Sequence, residues 1–322
     1  MYKQIHKDLL QWYHQHGRHH LPWRQTQDSY KIWVSEIMLQ QTQVKTVLER
    51  FYFPFIEAFP DLCSLANATE DEVLKKWEGL GYYTRARNLH KTAKICETTL
   101  PRTVIELNAL PGIGKSTAHA IASFAYKIAV PILDANVKRI LYRIFAIKKA
   151  SDNELWELSH QFFNKKFPFE FNQLMMDIGA TICKGKQISC EICPLQKICK
   201  SYEFSQINSA ISPLDYPMKK VKKNIPIKQS TLVIFEYKNR FALYQRETNF
   251  LKGLWGFYEY QPSNKENSLC SLIQKYSHFH LHVDVYYSKV FQKNKQYFSL
   301  KEIDKLTLSG IDQKIIKCIS KI

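Results

Sequence analysis

Cys183, Cys190, Cys193 and Cys199 follow one another in the spacing C-x6-C-x2-C-x5-C, and no other feature limits so sharply what this chain can fold into. Four thiols in one short stretch call for something bound between them. Zinc and a [4Fe–4S] cluster each accept four Cys ligands, but a structural zinc more often uses two short C-x2-4-C knuckles. Only Cys190 and Cys193 form such a knuckle, so the spacing favours iron–sulfur. The alternative is two disulfides in a secreted domain. Against it, the first twenty residues contain no apolar signal segment and no apolar run is long enough to span a bilayer. The expectation is a cytoplasmic protein without membrane contact, in which thiols stay reduced and bind metal. Cys63, Cys96, Cys270 and Cys318 are scattered and read as buried small residues.

The charge balance points to a partner. Lys and Arg exceed Asp and Glu by 46 − 29 = 17, which predicts a polyanion. The excess is local: residues 101–150 hold eight Lys and Arg against Glu106 and Asp134, whereas 57–78 is acidic. A patch of this kind suits nucleic acid, although a generally basic proteome would also raise the charge.

A chain of 322 residues has room for two or three domains, each with its own core. Residues 1–200 read as helix after helix, punctuated by Pro101, Pro111, Pro131 and Pro168. Thr69-Glu70-Asp71-Glu72 is a capping box opening a helix that Gly79 and Gly81 close. Residues 204–228, with Pro213, Pro217, Pro226 and the run Lys219, Lys220, Lys222, Lys223, read as a linker able to touch phosphates. Beyond it the period changes. Residues 231–237 and 240–246 are strand-like runs with Lys238-Asn239 as their turn, and 267–276 reads as helical.

Two segments carry candidate chemistry. Leu110-Pro-Gly-Ile-Gly-Lys-Ser-Thr-Ala118 lies between helical patterns at 104–109 and 117–126, the signature of a helix–hairpin–helix. Gly112 and Gly114 permit close backbone approach, so amides at the second helix's N-terminus can face a phosphate, with Lys115 adding charge. Binding of that type ignores base sequence. A tight helical hairpin in any bundle could use the same residues. The spacing is not that of a nucleoside-triphosphate P-loop.

The second segment supplies carboxylates. Residues 33–43 read as a helix with Glu36, Gln40 and Gln43 on one polar stripe, where Glu36 could equally face solvent. Asp134 follows the extended Val130-Pro131-Ile132 and stands where a helix begins. An N-cap role alone would justify it.

The hairpin LPGIGKSTA, the LDANVKR segment and the cysteine quartet together resemble the endonuclease III superfamily of DNA glycosylases. LPWR at 21–24, WVSEIMLQQTQV at 33–44 and GLGYYTRARNLHK at 79–91 resemble, within it, the MutY-type adenine DNA glycosylases. The resemblance implies a mainly α helix–hairpin–helix glycosylase domain with a [4Fe–4S] loop at 1–203. Within it a helical barrel would span about 24–126, and a cluster-bearing bundle would take in residues 1–23 and 127–203. A linker at 204–228 and a C-terminal α+β, Nudix-like 8-oxoguanine-recognition domain at 229–322 would follow.

By the same resemblance Glu36 is the acid that protonates adenine at N7, and Asp134 is the carboxylate that stabilises the oxocarbenium-like sugar. Asn136 stands beside them and Arg24 belongs to the adenine pocket, into which the base is flipped. Gln41 and Tyr82 wedge into the duplex, although ordinary packing would also explain them. Ser116 stands where bifunctional relatives carry a Schiff-base lysine, so a monofunctional enzyme is expected. Lys115 points elsewhere in helical phase.

The C-terminal region lacks the metal-binding carboxylates of a Nudix hydrolase. Tyr276-Ser277-His278 matches the family's Phe-Ser-His loop, with Tyr for Phe, and its Ser is implied to contact the lesion. Cys183, Cys190, Cys193 and Cys199 would hold the cluster, in a basic loop with Lys184, Lys186 and Lys197. The partner implied is double-stranded DNA with A:8-oxoG or A:G mispairs, met by a nucleoid-associated monomer. A glycosylase/lyase acting on oxidised pyrimidines and a catalytically silent lesion-sensing or regulatory iron–sulfur DNA-binding protein are the alternatives.

Overall fold

The structure is a computed structural model and describes residues 2–219, 224–248, 250–261 and 267–319. Lys220, Lys222 and Lys223 of the basic run lie outside the described residues. In chain order the helices are α1 Lys3–His16, α2 Ser29–Leu39, α3 Val44–Arg50, α4 Tyr52–Ala58, α5 Leu62–Asn67, α6 Glu70–Lys76, α7 Thr84–Cys96, α8 Val104–Asn108, α9 Lys115–Tyr126, α10 Ala135–Ile144, α11 Asp152–Phe162, α12 Pro168–Thr181 and α13 Lys200–Ile207. Strands β1 Ile227–Tyr237, β2 Arg240–Gln245, β3 Trp255–Gly256, β4 Tyr258–Glu259, β5 Asn267–Lys275, β6 His280–Ser288 and β7 Gln296–Phe298 follow, then α14 Leu300–Ile303 and α15 Gly310–Ile319. Contacts divide the chain into two compact units, Met1–Val47 with Ile95–Val221 and Leu48–Lys94 with Lys222–Ile322.

The first unit is helical. Leu9 of α1, Leu141 of α10, and Leu174 and Ile178 of α12 are fully buried in one cluster, the apolar stripes expected of amphipathic helices. Where α12 crosses α10 the backbones meet at Gly179: a Cβ there would stand 2.5 Å from Asn136 Cβ. The extended segment before α10 has its peptide groups satisfied by a buried side chain. Asn172 accepts from Ile132 N at 3.0 Å and donates to Val130 O at 2.9 Å. A carboxamide can mimic a strand partner in this way because it carries both a donor and an acceptor.

In the second unit the Thr69 capping box forms as expected, with Glu72 N to Thr69 Oγ1 at 3.2 Å and Thr69 N to Glu72 Oε2 at 2.8 Å. Gly79 and Gly81 follow at φ +93° and +77°, values open to glycine at little cost. Polar contacts tie this helical segment to residues 306–308: Lys75 Nζ donates to Leu306 O at 2.8 Å and Leu308 N donates to Glu78 Oε1 at 2.7 Å.

The sheet runs β3-β2-β1-β6-β5, with β4 on β1 and β7 on β2. β1 and β6 are parallel, while β1–β2 and β5–β6 are antiparallel. Lys238 and Asn239 have φ of 51° and 59°, the two left-handed residues a tight hairpin turn needs. α15 covers one face, burying Ile311, Ile315 and Ile319 against Leu232, Phe257 and Val285.

Three expectations change. Residues 267–275 form a strand, not a helix. A bulge between Ser268 and Cys270 breaks the register, so Leu269, Cys270 and Leu272 all pack on the core cluster. That interruption of the two-residue alternation spaces apolar positions as a helix would. Likewise α2 stops at Leu39: Gln40 is extended (ψ 114°) and Gln41 has φ +58°. Gln40 and Gln43 therefore leave the stripe that Glu36 occupies. The second hairpin helix starts at Lys115, two residues before its expected start.

Candidate active site and cysteine loop

Asp134 caps α10. Its Oδ1 accepts from Val137 N at 2.7 Å, and its Oδ2 accepts from Asn136 Nδ2 at 2.9 Å. The carboxylate thus meets amide donors at the positive end of a helix. Burial raises its pKa, and the bonds to Val137 and Asn136 and the Arg139 guanidinium offset only part of that rise. Asn136 is fixed in turn. Arg139 Nη2 donates to Asn136 Oδ1 at 2.8 Å and to Gly179 O at 2.6 Å, and Arg139 Nε donates to Cys183 O at 2.8 Å.

Glu36 projects from α2 into the same cavity, of about 160 Å³, which Asp134, Asn136, Arg24 and Gln173 also line. Its pKa is pushed up to about 7, first by burial and then by the charge of Asp134, against the opposing pull of Arg24. Near neutrality this carboxyl can therefore hold a proton that an exposed glutamate would have lost. A proton-holding acid beside a carboxylate ringed with donors can protonate one side of a bond and stabilise positive charge on the other.

Arg24 lies in the wall of the cavity, but its guanidinium is committed. Nη1 and Nη2 each reach an oxygen of Asp177 at 2.7 Å. Arg18 adds its Nε at 2.6 Å and its backbone N at 2.9 Å to the same carboxylate. Asp177 is fully buried, and despite burial its pKa is lowered by the two arginines. Sequence reasoning does not single out Arg139, Asp177 or Gly179. Arg139 lies three residues beyond Asn136 on the LDANVKR helix, a usable signal. Asp177, an acid inside an apolar helix, is a weaker one.

The hairpin residues stand outside the cavity wall. Gly112, Gly114 and Lys115 are exposed and Ser116 is partly so. Gly112 takes φ +76°. Lys115 Nζ rests 4.2 Å from the centroid of the Trp156 ring, a cation–π contact. Gln41 and Tyr82 are exposed and both left-handed, at φ +58° and +51°, unusual for side chains of their size.

Cys183, Cys190, Cys193 and Cys199 line one small cavity. Burial and the neighbouring sulfurs push Cys190 up to about 11, and burial foremost pushes Cys193 up to about 12. Arg143, buried on α10, donates to Cys183 Sγ at 3.1 Å and to Lys184 O at 2.8 Å. Among the described residues no group of three or more His, Cys, Asp or Glu side chains is placed to hold a metal ion. Lys184, Lys186 and Lys197 are exposed.

In the second unit Tyr276, Ser277 and His278 form the turn between β5 and β6, closed by Tyr276 N to Phe279 O at 2.9 Å. Tyr276 points inward against Phe250, and burial pushes its phenol up to about 12. Ser277 and His278 are exposed.

A family model described as "HhH-GPD superfamily base excision DNA repair protein" matches residues 34–165. An adenine DNA glycosylase of Buchnera aphidicola subsp. Baizongia pistaciae is 41% identical over 280 residues, covering 84% of this chain and 77% of that one. That of subsp. Schizaphis graminum is 37% identical and covers 96% of each chain. The human adenine DNA glycosylase is 40% identical over 211 residues, covering 60% and 38%. Among solved structures, a thermostable thymine-DNA glycosylase superposes with a TM-score of 0.58 at 28% identity, covering 63% of this chain and 96% of that one. A non-covalent endonuclease III–DNA complex gives 0.55 at 19% identity, covering 65% and 99%.

Proposed function

This chain belongs to the adenine DNA glycosylases of the HhH-GPD base excision repair superfamily, and from that premise we propose that it removes adenine mispaired with 8-oxoguanine or guanine in double-stranded DNA. The observation that carries the reading is the shared cavity of Glu36 and Asp134, in which the glutamate's pKa lies at about 7.

In this mechanism the flipped adenine enters the cavity and Glu36 gives its proton to N7, so the base departs neutral. The sugar left behind gathers positive charge. The Asp134 carboxylate, oriented by the Val137 amide and the Asn136 carboxamide, stabilises it until water adds. Asn136 positions Asp134 and is itself held by Arg139. Gly112 and Gly114, with Lys115, would bind phosphates without regard to sequence. Gln41 and Tyr82 are the wedging side chains, and their left-handed backbones present them at exposed turns. Residues 1–203 would carry the chemistry. Residues 229–322, joined through 204–228, would form the Nudix-like reader, with Ser277 meeting the opposing base. The protein would act as a monomer in the cytoplasm, at the nucleoid.

We propose that the four cysteines draw together around a [4Fe–4S] cluster when it binds. They line one cavity, two of them are part-buried thiols in which burial and then the neighbouring sulfurs disfavour the thiolate, and Arg143 already offers one sulfur a compensating charge. When bound, the cluster would supply the cationic centre that four thiolates need and close residues 183–199 into one loop.

Incubation with a duplex bearing adenine opposite 8-oxoguanine tests the function. Free adenine should appear, and the strand should break only after alkali. Because Ser116 replaces the Schiff-base lysine, borohydride should trap no covalent complex. Strand scission without alkali together with such a trap would overturn the monofunctional reading.

A further inference from the structure

Cys270 on β5 and Cys318 on α15 read in the sequence as buried and unrelated. Both are instead partly exposed, and their sulfurs stand 2.8 Å apart although the residues are 48 positions apart in sequence. The contact belongs to a longer seam. Gly310 lies beside Gln274, Lys314 Nζ donates to Ile273 O at 2.8 Å, and Cys318 meets Cys270. Positions 310, 314 and 318 are one face of the helix. Eight residues of helix advance about 12 Å and four residues of strand about 13 Å, so helix and strand stay matched along this seam. The bulge after Ser268 turns Cys270 to the helix side. Ser271, next in the chain, bonds instead to Asp284 on the neighbouring strand at 2.5 Å.

We propose that Cys270 and Cys318 are a reversible disulfide site, oxidised by hydrogen peroxide. One thiolate attacks a peroxide oxygen; the O–O bond breaks, water is released and a sulfenic acid forms. The second sulfur then displaces that hydroxyl as water and the S–S bond closes. Two thiols and one peroxide become one disulfide and two waters. A cellular dithiol can restore the pair by exchange. The sulfurs need approach by only about 1 Å to reach the roughly 2.05 Å of a bond. The bond would pin α15, whose Asp312 already anchors Arg246 at 2.9 Å against the glycine at 256.

The test uses the full reduced chain. It is treated with graded hydrogen peroxide, blocked with N-ethylmaleimide, and digested without reductant for mass spectrometry. The peptides carrying Cys270 and Cys318 should appear joined, two hydrogens lighter than their sum and separable by dithiothreitol. Thermal unfolding of the oxidised protein should rise by about 5 °C, as expected when a long loop is closed. Cys318→Ser, and independently Cys270→Ser, should abolish both changes. Alkylation of both thiols at peroxide doses that already oxidise the exposed Cys63, or linkage of either to a different cysteine, would overturn the proposal. An unchanged midpoint with the bond in place would overturn the pinning of α15.

Discussion

The acid-pair cavity and the β5–β6 turn are built in opposite ways. Around Asp134 the side chains are held in a chain of bonds: Val137 and Asn136 on the carboxylate and Arg139 on Asn136, with Gly179 admitting the helix crossing. At the turn, Ser277 and His278 are exposed; among the described residues their side chains hydrogen-bond only to each other, at a long 3.4 Å, and the His278 ring lies against Phe279 at 4.7 Å. The first arrangement suits bond breaking, where preorganised groups cost nothing to reorient during reaction. The second suits recognition, where side chains settle on a partner after it arrives. Substitutions should therefore have steep effects in the cavity and shallow ones at the turn.

The steepest expected effect is Asp134→Asn. The amide can still cap α10, so the fold should survive, while adenine release falls by roughly a thousandfold or more, comparable to removing an essential electrostatic group. Single-turnover excision with a thermal melt separates the two properties. A variant as fast as the parent would break the contrast at its strongest point.

Arg24→Leu comes next. It leaves Asp177 fully buried with Arg18 as its remaining partner. Loss of one member of a buried pair should cost about 3 kcal/mol of unfolding free energy. Denaturant titration measures this, and a neutral result would return Arg24 to a purely base-contacting role.

The pH profile is third. Glu36 must be protonated to act, and its pKa is about 7. Single-turnover excision should therefore be maintained below that pH and fall about tenfold per unit above it, close to a hundredfold by pH 9. The stability sign is the same. A folded pKa raised above the unfolded value contributes fully below about 4.5 and is lost as pH rises through 7. Glu36→Gln should flatten this part of both profiles.

Gly179→Ala is smaller. Its Cβ would meet Asn136 at 2.5 Å, and helix displacement should cost about 1–3 kcal/mol, with a slower chemical step because Asn136 moves away from Asp134.

The same contrast explains what could be read from the sequence. Asp134 as an N-cap, the Thr69 capping box and the Lys238-Asn239 turn are local chemistry, written within three or four residues, and all form. The convergence of α2, α10 and α12 is not local. Nothing in the sequence near Arg24 announces Asp177, 153 positions away, as its partner. The strand at 267–275 is hidden for another reason: one bulged residue shifts the alternation, and the shifted pattern matches helical spacing. Glu36 is legible as a polar residue in an apolar helix, but its raised pKa comes from burial and then from Asp134, which only the folded chain supplies.

The shallowest effect is expected at the turn. Ser277→Ala removes one exposed hydroxyl whose partner in the free protein is His278 at 3.4 Å. Stability should change by less than about 0.5 kcal/mol, as for surface positions without special contacts. If Ser277 reads the opposing base through one hydrogen bond, the preference for 8-oxoguanine over guanine should fall by about fivefold, the worth of roughly 1 kcal/mol. The excision rate at saturating enzyme should hold, because Glu36 and Asp134 are untouched. Single-turnover rates and binding curves on the two duplexes distinguish these terms. A fall in the saturated rate on both duplexes would mean that the turn shapes the chemistry too, and the division between a rigid cavity and an adaptable reader would fail. An unchanged preference would shift recognition from Ser277 to the aromatic cleft beside it, where Phe250, Tyr260 and Phe279 form the walls.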